Sequence, residues 1–137
     1  MKVFLQLSVC LFLFFGTAKA QSPTTSASSP EQLAQEQLDA YNARDIDAFL
    51  KPYSDEVEIY NFPDQLISKG KESMRKSYAQ MFANTPKLHC ELVSRMVQGN
   101  TVIDQERVTG FGPDRVMHAI AVYKVEDGKI AKVYFIQ

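Results

Sequence analysis

The sequence predicts an α+β domain, a curved antiparallel sheet with three helices on one side. Three observations carry this. Capped stretches with helical spacing dominate from Ser29 to Ala83, interrupted by one strand. Alternating apolar and polar residues dominate from Leu88 to the end. The short turn strings GN, FGPD and EDG divide that second half into consecutive strands.

The first twenty residues stand apart from the fold. MKVFLQLSVCLFLFFGTAKA has Lys2, an apolar run from Leu5 to Phe15 and small residues at Ala18 and Ala20. That is the pattern of a secretory signal peptide cleaved after Ala20. The run is shorter than the roughly 20 residues a bilayer span needs, which weighs against an uncleaved anchor. Val9 before Cys10 weighs against a lipidated cysteine. The sequence thus predicts a leader over 1–20, a flexible polar linker over 21–30 (QSPTTSASSP) and one domain over 31–137. The expected location is secreted or periplasmic, without membrane contact after cleavage.

Losing Lys2 and Lys19 with the leader leaves 13 basic side chains against 16 acidic ones, a net charge near −3. Such a chain lacks the basic patch that nucleic acid requires. It contains no P-loop, no glycine-rich dinucleotide fingerprint, no H-E-x-x-H and no C-x-x-C pair. Two histidines and one remaining cysteine are too few for a His- or Cys-rich metal site, so no metal or cofactor is expected. Cys90 has no cysteine partner in the domain and reads as a buried structural thiol.

Ser29-Pro30-Glu31-Gln32 places an N-cap, a first-turn proline and a capping-box glutamine in register. Leu33, Ala34, Leu38 and Tyr41 follow on one stripe, and the helix should end near Asn42 to Arg44. Asp45 caps a short second helix with Ile46, Phe49 and Leu50 apolar, closed by Pro52. A strand is predicted over Val57 to Phe62, and PDQLISKG is read as a loop. A third helix over Lys71 to Ala83 carries Met74, Tyr78, Met81 and Phe82 on its buried stripe. Strands follow at Leu88–Gln98, Thr101–Gly110, Arg115–Glu126 and Lys129 to the end.

Register can be tested by asking which pairing segregates the faces, because a slip of one residue reverses every side chain. Three-residue loops at Gln98-Gly99-Asn100 and Glu126-Asp127-Gly128 do so. They set Met96 against Val102, Leu92 against Glu106 and Cys90 against Val108. They also set Tyr123 against Ala131, Ala121 against Val133 and Ala119 against Phe135. The middle hairpin pairs Gly110 with Arg115, Glu106 with Ala119 and Asp104 with Ala121. A two-residue GN loop is the competing register, and it brings Arg95 opposite Asp104. The preferred pairing collects the apolar residues on the face the helices cover. It leaves Arg95, Arg107 and His118 outside with Val93, Val97, Ile103, Ile120, Val122 and Ile136.

Glu106 then projects from an apolar wall between Leu92 and Ala119. An unpaired buried carboxylate is costly, so its pKa rises, as general acid–base chemistry requires. The competing reading is a buried group satisfied by a tyrosine hydroxyl or a helix amide. Ala119 and Ala121 leave space beside it. Tyr41, Tyr53, Tyr60, Phe62, Tyr78, Phe82 and Phe135 are candidates to line a pocket there. Asp104 belongs to the same face, nearer its open end and more solvated.

Several strings are similar to the nuclear transport factor 2-like superfamily, in its SnoaL-like and ketosteroid-isomerase-like branch. AYNARDIDAFLKPYSDEVEIY resembles the opening, KGKESMRKSYAQMF the third helix and AVYKVEDGKIAKVYFI the closing hairpin. The resemblance covers nearly everything after Pro30. It implies a cone-shaped sheet around a pocket, and commonly a homodimer through the outer face. It does not carry the steroid-isomerase machinery across. The oxyanion-binding tyrosine lines up with Gln37, the general-base aspartate with Asn61 and the second aspartate with Ala121. Three functions remain open. One is an exported domain binding a small apolar or amphipathic molecule. Another is a cofactor-independent isomerase, dehydratase or hydrolase using Glu106 as general acid or base. The third is a dimeric interaction domain without ligand.

Overall fold

The Ser29 hydroxyl accepts from the Gln32 amide at 3.2 Å while the Gln32 side chain accepts from the Ser29 amide at 2.7 Å. This reciprocal cap satisfies two orphan donors and starts α1 (Pro30–Ala43). The computed structural model describes residues 28–137. The expected leader and residues 21–27 of the expected linker lie outside the described residues, and Pro30 takes the first helical position that the capping pattern predicts. Asp45 accepts from the amides of Asp47 and Ala48 and opens α2 (Ile46–Leu50). The longer α3 spans Lys71–Asn84. Among the described residues no helix is long and apolar enough to cross a membrane.

The strands are β1 (Tyr53–Asn61), β2 (Gln65–Lys69), β3 (His89–Gln98), β4 (Thr101–Thr109), β5 (Met117–Glu126) and β6 (Lys129–Ile136). They form one curved sheet in the order β2-β1-β6-β5-β4-β3. Two expectations are corrected. The PDQLISKG segment is not a loop, because Gln65–Lys69 pairs antiparallel with β1. It escaped detection because it sits on the sheet edge, mostly exposed, and so shows no alternation. The sheet is also not wholly antiparallel. After the β3–β6 meander the chain returns beside β1, and β6 runs parallel to it.

The helices cover one face. Phe49, Leu50, Met74, Leu88, Val102 and Ile130 are fully buried there. Tyr41, Phe49, Tyr53, Tyr78 and Phe82 form one aromatic cluster, with neighbouring ring centroids from 4.6 to 6.4 Å apart. Their edge and tilted contacts add to the area they bury. Because β3 is an edge strand, its outer backbone groups need partners. Asn42 on α1 supplies them, accepting from the Cys90 amide at 2.7 Å and donating to the Cys90 carbonyl at 2.9 Å. Gly110 (φ +97°) lets the end of β4 pass Lys87, where a Cβ would stand 2.2 Å from the carbonyl oxygen.

The registers correct the sequence reading in an instructive way. At the β3–β4 hairpin both candidate pairings occur. Cys90–Val108 and Leu92–Glu106 follow the three-residue-loop register, whereas Arg95–Asp104 and Val97–Val102 follow the two-residue one. An irregularity between Leu92 and Ser94 absorbs the extra residue. Beyond it the faces exchange. Arg95 turns inward, and Met96 turns out to 66% exposure. Gly99 supplies the positive φ of the tight turn. The β5–β6 hairpin also turns on two residues, Asp127 and Gly128, both with positive φ. That turn moves the pairing by one residue and an irregularity between Lys124 and Val125 moves it by another, so Tyr123 meets Val133 and Ala121 meets Phe135, two places from the expected pairing but on the same face. The expected β4–β5 pairs, Glu106–Ala119 and Asp104–Ala121, are present.

Asp104 is not the solvated group the sequence suggested. It is wholly buried, and Arg95 grips both carboxylate oxygens at 2.7 Å. Gln35 accepts a further bond from Arg95 at 2.9 Å. Removing one member of a buried pair strands the other. Arg95→Met is expected to lower stability by roughly 3–5 kcal/mol, with Arg95→Met/Asp104→Leu recovering most of it, as read by urea denaturation.

Candidate functional site

A cavity of about 120 Å³ opens between α1, α3 and the inner face of the sheet. Its walls are mainly apolar. Leu38 comes from α1, Met81 from α3, Val108 from β4, Met117 and Ala119 from β5, and Phe135 from β6. Phe111, carried past Gly110 by the turn after β4, lies at the same cavity with Gln137. The polar side chains are Gln37, Tyr41, Tyr53, Cys90, Glu106 and Tyr123.

Glu106 is only 6% exposed, and among the described residues no cation pairs with it. Burial pushes its pKa from the ordinary 4.5 up to about 7, and the nearby Asp104 charge adds to the rise. The Tyr123 hydroxyl, the Cys90 thiol beside it and the more distant Arg95 pull the other way. Tyr123 donates to Oε1 at 3.0 Å. Burial pushes the Tyr41, Tyr53, Tyr78 and Tyr123 hydroxyls and the Cys90 thiol upward, so all remain protonated near neutrality. The cavity thus holds one group able to change charge near pH 7, surrounded by hydroxyls, an amide and apolar surface. Such a site can bind a small molecule with one polar end, or move one proton.

The structure brings Tyr41, Tyr53, Glu106, Ala119 and Phe135 to the cavity, as the sequence suggested. It removes the other candidates. Tyr60 points away from the helices, stacks on Tyr134 at 5.0 Å and donates to Glu58. Alternation along β1 forces this, since Tyr53, Val57 and Ile59 take the inner positions. Phe62 lies beyond the end of β1 at 61% exposure. Tyr78 and Phe82 pack in the aromatic cluster, outside the cavity lining. Asp104 is engaged by Arg95, and Ala121 is completely buried away from the cavity lining.

Gln37 and Tyr123 were not foreseen as site residues. Gln37 falls on the apolar stripe of α1, between Ala34 and Tyr41, and a polar residue there was the available signal. Tyr123 sits opposite Val102, and its long reach back to Glu106 is not a cross-strand neighbour relation. Phe111 and Gln137 lie beyond strand ends, where no periodicity points to them.

A carboxyl whose pKa is higher in the folded chain favours folding most when protonated. Its contribution is full below about pH 4.5 and is lost as pH rises through about 7. Relative to Glu106→Gln, the wild-type protein should lose roughly 3 kcal/mol of stability between pH 4.5 and 8. Urea denaturation of both proteins across that range checks this, and parallel curves would contradict it.

Comparison with known proteins agrees with this architecture. The family model for the SnoaL-like domain matches residues 34–133. An uncharacterized cystatin-fold protein from Novosphingobium aromaticivorans is 29% identical, with a TM-score of 0.75 over 80% of this chain and 99% of that one. A candidate ketosteroid isomerase from Kribbella flavida is 18% identical, with a TM-score of 0.65 over 77% of this chain and 75% of that one. A candidate SnoaL-like polyketide cyclase from Jannaschia sp. CCS1 is 17% identical, with a TM-score of 0.64 over 87% of this chain and 90% of that one. At these identities the structures share a fold with this chain, and a fold does not fix an activity. A search of curated proteins finds no match. The match over residues 34–133 spans most of the sequence, and the chain belongs to the SnoaL-like domain family, with the nuclear transport factor 2-like fold.

Proposed function

We propose that this protein binds a small apolar or amphipathic molecule in the Glu106 cavity. One observation carries the reading: a carboxyl that no cation among the described residues pairs with stands on an apolar wall with open space in front of it. Filling that space with side chain would cost the fold nothing in polarity, whereas keeping a carboxyl there costs desolvation. The cavity is close in size to apolar protein cavities of about 150 Å³ that accept benzene, so a single ring or short chain suits it better than a polycyclic molecule. The proposal includes export through the leader at 1–20. It also includes a homodimer through the outer sheet face, where Val93, Met96, Ile120 and Ile136 are exposed.

The second reading is a cofactor-independent isomerase, dehydratase or hydrolase. It is favoured by the Glu106 pKa near 7, poised to take or give a proton. Solvent-deuterium exchange at the α-carbon of cyclohexanone tests it. Exchange catalysed by wild type and abolished in Glu106→Gln, with binding kept, supports enzymatic proton transfer. No catalysed exchange leaves binding as the function.

NMR titration with toluene and methylcyclohexane tests the binding proposal. Saturable shifts at the methyl groups of Met117 and Ala119 are expected. Ala119→Leu should weaken them about tenfold or more by filling the space. Absence of shifts in the wild type contradicts the proposal.

A further inference from the structure

The polar wall of the cavity has a direction, and Gln37 sets it. The Gln37 side-chain nitrogen lies 3.1 Å from the Ala34 carbonyl oxygen and 3.0 Å from the Tyr123 hydroxyl. Its side-chain oxygen lies 3.1 Å from the Tyr53 hydroxyl. A backbone carbonyl only accepts, so the amide nitrogen, and not the amide oxygen, must face Ala34. The remaining amide hydrogen then goes to the Tyr123 oxygen, and the amide oxygen accepts from Tyr53. Tyr123, receiving at its oxygen, gives its single hydrogen to Oε1 of Glu106 at 3.0 Å.

Oε1 is thereby committed as an acceptor. A neutral carboxyl carries one hydrogen, which is left to Oε2. Apart from the Cys90 thiol beside the carboxyl, a weak donor, no side chain among the described residues approaches Oε2 as a hydrogen-bond partner, and none of their buried side-chain polar atoms lacks a partner. Oε2 therefore faces open space, and the space at Glu106 is the cavity.

We propose that Gln37 is a positioning residue that fixes the proton of neutral Glu106 on its cavity-facing oxygen. The cavity then selects uncharged molecules bearing an oxygen acceptor, such as a carbonyl or ether, over hydrocarbons. This deepens the binding proposal above and rests on it. In the ionised state the same oxygen becomes an acceptor and the preference is lost. The groups around the carboxyl do not blur this change. α1 presents Gln37 and Tyr41, α3 Tyr78, β1 Tyr53, β3 Cys90 and Arg95, β4 Asp104 and β5 Tyr123. α2 contributes Phe49 to the aromatic cluster, and β6 contributes Phe135, with Gln137 just past its end. The hydroxyls and the thiol stay protonated, and Arg95 and Asp104 neutralise each other.

Three probes of similar size separate the outcomes: cyclohexanone, cyclohexylamine and methylcyclohexane, titrated by NMR at pH 5.5 and 8.5. At pH 5.5 the ketone should bind roughly tenfold tighter than the hydrocarbon, and this ratio should fall as Glu106 ionises. The cationic amine should gain over the same range. In Glu106→Gln, a permanently neutral donor, the ketone ratio should lose its pH dependence. In Gln37→Leu the ratio should drop at pH 5.5, where Glu106 is still neutral, because Tyr123 is then free to accept. If hydrocarbon and ketone bind equally at pH 5.5, the donor assignment is wrong and the binding proposal stands. An unchanged ratio in Gln37→Leu overturns the role of Gln37. If no probe binds at either pH, the binding proposal fails and this one with it.

Discussion

Two carboxyl groups leave the inner face of β4 two residues apart, and among the described residues only one of them has a cation. Asp104 holds Arg95 in a two-pronged ion pair. Glu106 has a tyrosine hydroxyl and a thiol. The division follows from a single irregularity in β3. Without the extra residue between Leu92 and Ser94, Arg95 would point outward and Asp104 would be a second buried acid without a partner. With it, the guanidinium is drawn in at the turn end of the hairpin and consumed there. Glu106 is thereby left to solve its own burial by taking up a proton. The cavity chemistry depends on this uneven distribution of one positive charge.

The remaining polar groups fit that arrangement. Tyr53, Gln37, Tyr123 and Glu106 form a chain in which each hydrogen is donated toward the carboxyl. The chain stabilises an acceptor at Oε1 without adding charge. It also ties α1 to β1 and β5, so the same bonds that fix the carboxyl help seat the helix on the sheet. A hydrogen-bonded network of this kind is worth keeping only when every member is satisfied, and among the described side chains no buried polar atom is left over.

Much of this was legible from residue patterns. The caps at Ser29 and Asp45 located α1 and α2, and two-residue alternation located the β3–β6 meander. Pairing Glu106 with Ala119 puts the carboxyl on the inner face. What stayed hidden has physical causes. A bulge lets one hairpin obey two registers, so a test that asks for a single register must misplace half of it, as happened to Arg95 and Met96. An edge strand such as β2 buries little and carries no period. Aromatic type alone does not say which face a residue takes, and so Tyr60 and Phe62 were grouped with Tyr41 and Tyr53. The Gln37 bonds depend on side-chain reach across the helix–sheet gap, which sequence spacing does not encode. Kinship with the SnoaL-like family adds the fold, while the positions at Gln37, Asn61 and Ala121 lack the acids and the hydroxyl that the resemblance to steroid isomerases would require.

The central claim is that Glu106 is held neutral by its surroundings until pH approaches 7. The most direct measurement is a carbon-13 NMR titration of the Glu106 side-chain carboxyl in the intact protein, assigned by comparison with Glu106→Gln. The structure predicts a midpoint near 7, well separated from the exposed glutamates. A midpoint between 4 and 5, the ordinary range of a solvated glutamate, would contradict it.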